Sequence, residues 1–336
     1  MRRVVGGVAL AGLVHGPLGA VDAQVVERLA DINPGAGDSE PEQLTPANGI
    51  VFFTADDGVT GRELWKSDGT GPGTVLVADI DPSPGIGSFP QALTAVNGTL
   101  FFVVGNELWA SDGTEAGTAL VKDINMAPSG SSVSNLTALG NTLFFTAFSD
   151  GMVGNELWKS DGTPDGTVLV LNINPGGGSF PDDLIVANDL LFFSADDGTN
   201  GRELWKSDGT TTMLVKDIHP TGSSDPRGLA AVNGNGAFFF EAFTPATGFE
   251  LWKSDGTEAG TVLVKDINPG VAGSFPAGSF TAVNGTVFFT ADDGVHGTEL
   301  WKTDGTPDGT ALVKDIVPGG DNPGITNLTA INGLLV

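Results

Sequence analysis

Three pairs of adjacent carboxylates stand in glycine-flanked loops: Asp56-Asp57, Asp196-Asp197 and Asp292-Asp293. Hard oxygen ligands in tight loops suit calcium, which takes about six to eight oxygens. The spacing departs from the EF-hand loop and lacks its bidentate Glu, so turn chemistry is the competing reading. Asp bonds the backbone two residues on, and the following Gly takes the left-handed conformation. Paired carboxylates could also hydrolyse glycosides, which makes an extracellular hydrolase or lyase the enzymatic alternative. The rest of the catalytic equipment is thin. His219 and His296 are the only histidines after residue 23, neither recurs, and the chain has no cysteine and no tyrosine. No nucleophile–base–orienter set can be assembled from these types.

The elements that carry the acidic loops repeat. GRELWKSDGT stands at 61–70 and again at 201–210, and the Glu-Leu-Trp core occurs six times, at Trp65, Trp109, Trp158, Trp205, Trp252 and Trp301. Those six are all the tryptophans of the chain. Each repeat reads as a four-stranded antiparallel meander. In the sixth, SFTAV and TVFFTA flank Asn284-Gly285, a dipeptide that favours the type I′ hairpin turn. DDGVHG, TELWKT, DGTPDG and TALVKDI follow. Consecutive apolar residues in VFF and ALV predict strands buried on both faces. A meander of that kind repeated at about 47 residues predicts a β-propeller blade. The tryptophans then wedge between neighbouring sheets. Asp68, Asp112, Asp161, Asp208, Asp255 and Asp304 start turns, each followed by Gly.

The motif ELWxSDGTxxGTxLVKDI resembles the ELWxxDGT-repeat family of bacterial exported proteins, over nearly all of the chain after residue 23. The resemblance implies a propeller-like fold and export, and no particular activity.

The expected organisation is a signal peptide over 1–23 and one all-β propeller domain over 24–336. The signal peptide rests on two arginines, an apolar run and small residues before Ala23. Complete repeats fall at about 42–80, 91–124, 135–173, 183–218, 228–267 and 279–316. The segments 24–32 and 327–336 supply parts of an incomplete seventh blade, with six blades as the alternative. The ELW strand of that seventh blade is missing, so the chain also reads as a fragment of a longer surface protein in which it is a structural spacer.

A formal net charge of −26 repels nucleic acid and anionic lipid and attracts cations. With the signal peptide removed, no segment is expected to enter a membrane. The SDGT end is nearly invariant between repeats, while the DDGxxG loops vary. Function sits most often on variable loops held by a rigid scaffold. The expected protein is therefore a secreted or cell-surface, non-enzymatic binding or adhesion module. It contacts an extracellular protein or glycan through its variable acidic end, with calcium as the one cofactor in view.

Overall fold

A computed structural model describes residues 28–336 except 84, 150–152, 233–235, 277–279 and 321. The signal peptide and residues 24–27 lie outside the described residues. Among the described residues every regular element is a strand, and no helix is long and apolar enough to cross a membrane.

Six antiparallel sheets of four strands follow one another along the chain, each with its strands side by side in chain order. We number them 1 to 6; they span 42–78, 91–122, 134–171, 182–216, 227–265 and 281–314. Sheet 1 consists of Glu42–Ala47, Ile50–Asp56, Arg62–Ser67 and Val75–Ala78. Beyond sheet 6 stands a hairpin of Ala330–Ile331 and Leu334–Leu335. Residues 28–32 form no strand. The chain divides into two compact units, Met1–Leu143 with Ser160–Thr167, and Phe144–Lys159 with Val168–Val336. Sheets 1 and 2 belong to the first, sheets 4 to 6 to the second, and sheet 3 contributes to both.

Local chemistry accounts for the meander. Asn48-Gly49, Asn97-Gly98 and Asn284-Gly285 have positive φ at both residues, as a type I′ turn requires. The paired phenylalanines of the second strands are covered on both faces: Phe52, Phe53, Phe101, Phe102, Phe192 and Phe193 are all buried. Second and third strands pair without interruption, with Phe53 opposite Trp65 and Asp56 opposite Arg62. Third and fourth strands shift register between the Leu and the Trp of the motif, at 64/65, 108/109, 157/158, 204/205, 251/252 and 300/301. Such a bulge increases the local twist.

Neighbouring sheets share cores through the tryptophans. In the second unit, Trp252 packs with Phe240 and Ala242 of its own sheet, with Leu204 and Val215 of sheet 4, and with Ile218 just beyond that sheet. Trp301 repeats the arrangement with Phe289, Ala291, Leu251, Val264 and Ile267. In the first unit, Phe52 and Leu64 of sheet 1 form one core with Leu100 and Phe102 of sheet 2.

Candidate functional site

The SDGT turns build one end of each sheet. Asp68 Oδ1 accepts from the Thr70 amide at 2.9 Å and from its hydroxyl at 2.7 Å. Asp112, Asp161, Asp255 and Asp304 do the same with Thr114, Thr163, Thr257 and Thr306. Asp208, in the shortened fourth repeat, takes the amides of Thr210 and Thr211 instead. The threonine hydroxyl bonds foremost, then the amide, hold Asp68, Asp112, Asp161, Asp255 and Asp304 below the usual carboxylate range. The second Gly of the motif is steric in origin: a Cβ on Gly73 would lie 2.0 Å from Asp68 Oδ1.

At the opposite end the paired acids turn inward on their own loops. Asp57 Oδ1 accepts from the amides of Val59 and Thr60 and from the Thr60 hydroxyl. Asp197 takes the amides of Thr199 and Asn200 on Oδ1 and the Asn200 side chain on Oδ2. Asp293 takes the amides of Val295 and His296, and its Oδ2 meets His296 Nδ1 at 2.8 Å. Asp56, Asp196 and Asp292 each accept from the Gly two residues on, at 2.7 Å. Desolvation pushes Asp197 and Asp293 upward, but the loop donors outweigh it and hold both below the ordinary value. Among the described residues, no group of three or more His, Asp or Glu side chains could hold a metal ion.

A feature that sequence reasoning passed over is the Glu of Glu-Leu-Trp, fully buried at 63, 156, 203, 250 and 299. Glu203 accepts from the amides of Ile218, His219 and Ser224 and from Ser224 Oγ, the last at 2.5 Å. Glu63 with Ser88, Glu107 with Ser131, Glu156 with Ser179 and Glu250 with Ser274 repeat the clamp. Each clamp ties the connection between two sheets to the start of a third strand. Burial pushes Glu63, Glu156, Glu203 and Glu250 above the usual range, against the hydrogen bonds they receive. The signal was present in the sequence as a Ser about two dozen positions after each of five glutamates.

The residue after each of the five clamp serines has positive φ (Phe89, Ser132, Phe180, Asp225 and Phe275), and so does Glu40, which follows the unclamped Ser39. Phe89, Phe180 and Phe275 are at least half exposed. Left-handed backbone is costly for a bulky residue, and so is a solvent-facing phenyl ring. Beside Phe89, a cavity of about 460 Å³ opens between Glu42, Gln43, Arg62, Pro90 and Gln91.

The fifth repeat departs most from the pattern. Where the second strands of sheets 1, 3, 4 and 6 carry Thr54, Thr146, Ser194 and Thr290 and that of sheet 2 carries Val103, sheet 5 carries Glu241, and Phe243 and Phe249 border its loop. Arg227 pairs with Glu241 through Nε, and its guanidinium lies 4.0 Å from the Phe249 ring centre. A chain of rings runs from His219 to Phe243 at 5.7 Å, on to Phe249 at 5.3 Å and to Phe275 at 5.6 Å. Asp183 accepts from the Gly228 amide at 3.1 Å. Desolvation raises both Asp183 and Glu241; the Gly228 amide and nearby arginines oppose the shift of Asp183 while the Asp182 charge adds to it, and Arg227 opposes that of Glu241 while the Asp183 charge adds to it. Sequence reading singled out His219 only as a lone histidine; its stacking partners come from a strand some two dozen residues away.

No family model and no curated protein matches the chain. Solved structures do. A structure from a study of two prolyl endopeptidases is similar at a TM-score of 0.50 and 14% identity, over 88% of this chain and 45% of that one. The fold is propeller-like. At that identity the likeness carries fold alone, and this chain spans less than half the length of the endopeptidase chain. The computationally designed protein Ika8 is similar at a TM-score of 0.48 and 16% identity, over 89% and 80% of the two chains. A TolB-like protein from Agrobacterium tumefaciens reaches 0.36 and 11%, over 65% and 77%.

Proposed function

We propose that the protein is an exported, non-enzymatic binding or adhesion module that contacts an extracellular protein or glycan through the loop end opposite the SDGT turns. The observation that carries this reading is the break in the fifth repeat. A scaffold that copies itself replaces a small hydroxyl with Glu241 and gathers Arg227, Phe243, Phe249 and the half-exposed Phe275 in one place. Aromatic rings with an arginine are the side chains that dominate binding interfaces.

The distribution of exposed apolar side chains supports it. In the first unit Val59, Ile86, Phe89 and Met126 are exposed on loops of this end, and in the second Phe180, Val271, Phe275 and Val295. The SDGT loops expose no large apolar side chain among the described residues. Exposed apolar patches mark interaction surfaces.

The test is retention on arrays of immobilised oligosaccharides and of purified extracellular proteins. Wild type is expected to hold to at least one class. The variant Phe275→Ser, which truncates a half-exposed ring and leaves the Arg227–Glu241 pair intact, should lose about tenfold or more in affinity with an unchanged melting temperature. Retention by neither array, or full retention by the variant, overturns the reading.

One observation favours a second reading. Asp183 and Glu241 are desolvated carboxylates with raised proton affinity, the condition of a general acid. The hydrolase reading predicts that Asp183→Asn abolishes turnover of chromogenic glycosides. The Arg227 ion pair argues against it, since it holds Glu241 in a structural role. Calcium remains a proposal for the acidic loops, whose Oδ1 atoms already accept from backbone donors.

A further inference from the structure

Each sheet receives its predecessor in one way. Within the first unit, the Phe52 ring lies 3.2 Å from where a Cβ on Gly113 would stand, and Lys66 Nζ donates to the Gly113 carbonyl at 2.8 Å. Within the second, Phe192 and Lys206 meet Gly256, and Phe239 and Lys253 meet Gly305. The preceding sheet also contributes the Leu of Glu-Leu-Trp to the receiving tryptophan's core, as Leu204 and Leu251 show. Its Glu takes the clamp serine.

Among the described residues, sheet 1 has the receiving set and no giver. Ser39 is held like the clamp serines: its carbonyl accepts from the Asp56 amide at 2.9 Å, as Ser179 does from Asp196 and Ser274 from Asp292. Yet Ser39 Oγ is buried, the residue 2% exposed, and has no hydrogen-bond partner. Gly69, the counterpart of Gly113 and Gly256, is exposed with nothing within 4 Å of its Cβ direction. Among the described residues no lysine donates to its carbonyl. Trp65, Phe53 and Ala55 pack with Leu29, Ala30 and Ile32, the counterparts of Val215 and Ile218 and their neighbour, but no motif leucine joins them. Residues 28–32 match 76–80 (RLADI against LVADI). They lie where a preceding fourth strand would, with the Leu29 carbonyl 2.8 Å from a Cβ on Gly71, and without a ladder partner.

We propose that this face of sheet 1 is a docking site for an extended Glu-Leu-Trp-Lys strand other than the six that residues 1–336 carry. The Glu accepts from the Ser39 hydroxyl and amide. The Leu enters the core of Trp65, Phe53 and Ile32, and the Lys reaches the Gly69 carbonyl. The backbone adds to residues 28–32 as a strand. The chain's own six such strands are not the source, because each is an interior strand between two others of its sheet, and withdrawing one would unmake that sheet.

The experiment titrates the 336-residue chain into a fluorescein-labelled peptide of residues 297–306, GTELWKTDGT, and reads anisotropy. Saturable binding is expected. Replacing the peptide's Glu with Ala should weaken it about tenfold or more, since the lost bonds are charge-assisted. Ser39→Ala in the protein should weaken it comparably and leave the melting temperature unchanged, because that hydroxyl has no partner to lose. Ser224→Ala, in an occupied clamp, should lower the melting temperature. Absence of saturable binding, affinity indifferent to the Glu and to Ser39, or a Ser39→Ala melt depressed like that of Ser224→Ala each overturns the proposal.

Discussion

At the scale of single residues, Asp57, Asp197 and Asp293 show how one pattern serves two chemistries. An Asp-Asp-Gly loop could present its oxygens to a cation, but each second Asp spends Oδ1 on two backbone amides. Thermal melts in millimolar calcium and in excess chelator are therefore expected to superimpose. Saturation of a site on the folded state at a hundredfold excess over its Kd would add about 2.7 kcal/mol, so an upward shift that Asp197→Asn removes would restore the metal reading. His296 titrates in the same frame. Its hydrogen bond to Asp293, then the Asp293 charge, raises its proton affinity. The folded value exceeds the unfolded one, so its contribution is complete below the unfolded pKa and fades as pH rises through the folded one. An NMR titration should find His296 protonating above a free imidazole and returning toward it in Asp293→Asn.

At the scale of the element, the Glu clamp and the tryptophan wedge make separable predictions. Glu203→Ala leaves Ser224 Oγ and three amides without their acceptor. Urea unfolding should lose about 3–5 kcal/mol, the range for breaking a buried charged network, whereas Glu203→Gln keeps part of the acceptor set and should lose less. The indole N–H groups of Trp65, Trp158, Trp205, Trp252 and Trp301 are buried without an acceptor. Trp252→Phe removes an unsatisfied donor and keeps most of the ring, so its cost should stay well below the roughly 3–5 kcal/mol of Trp252→Ala. A Phe variant as damaged as the Ala variant would show that the N–H has a partner in solution.

At the scale of the whole molecule, two sets of carboxylates pull stability in opposite directions with pH. Burial raises Glu63, Glu156, Glu203 and Glu250 above the ordinary glutamate value of 4.5. For an acid raised in the fold, stability is fullest below the unfolded pKa and is lost as pH rises through the folded value. The SDGT aspartates are lowered from 3.8, so their contribution is present above that value and is lost as pH falls through the folded one. The net charge of −26 adds self-repulsion that acidification relieves. The melting temperature should therefore rise as acidification approaches the ordinary glutamate value of 4.5 and fall again as the pH drops below the ordinary aspartate value of 3.8. A profile with no rise on acidification toward pH 4.5 would mean that the clamp glutamates do not carry raised pKa values.

The amino-acid sequence by itself determined the repeating unit. Asn-Gly turns, paired phenylalanines and the SDGTxxGT loop are local instructions. Each acts within a few residues: the turn by its φ, the loop by an Asp that bonds the next Thr and leaves no room for a Cβ on Gly73. The span of every repeat was legible for that reason, and so was the variability of the opposite loops. Tertiary structure alone decided what crosses between repeats. Glu203 meets Ser224, Arg227 meets Glu241, and His219 stacks on Phe243 because the connection folds back onto the third strand and the next sheet stacks beside it. The Glu-to-Ser spacing of about two dozen residues recurs in the sequence, but only the fold shows that the two side chains meet. The unpartnered Ser39 is the clearest case: as a letter it is one serine among many, and only burial beside five satisfied counterparts marks it as a receiving site.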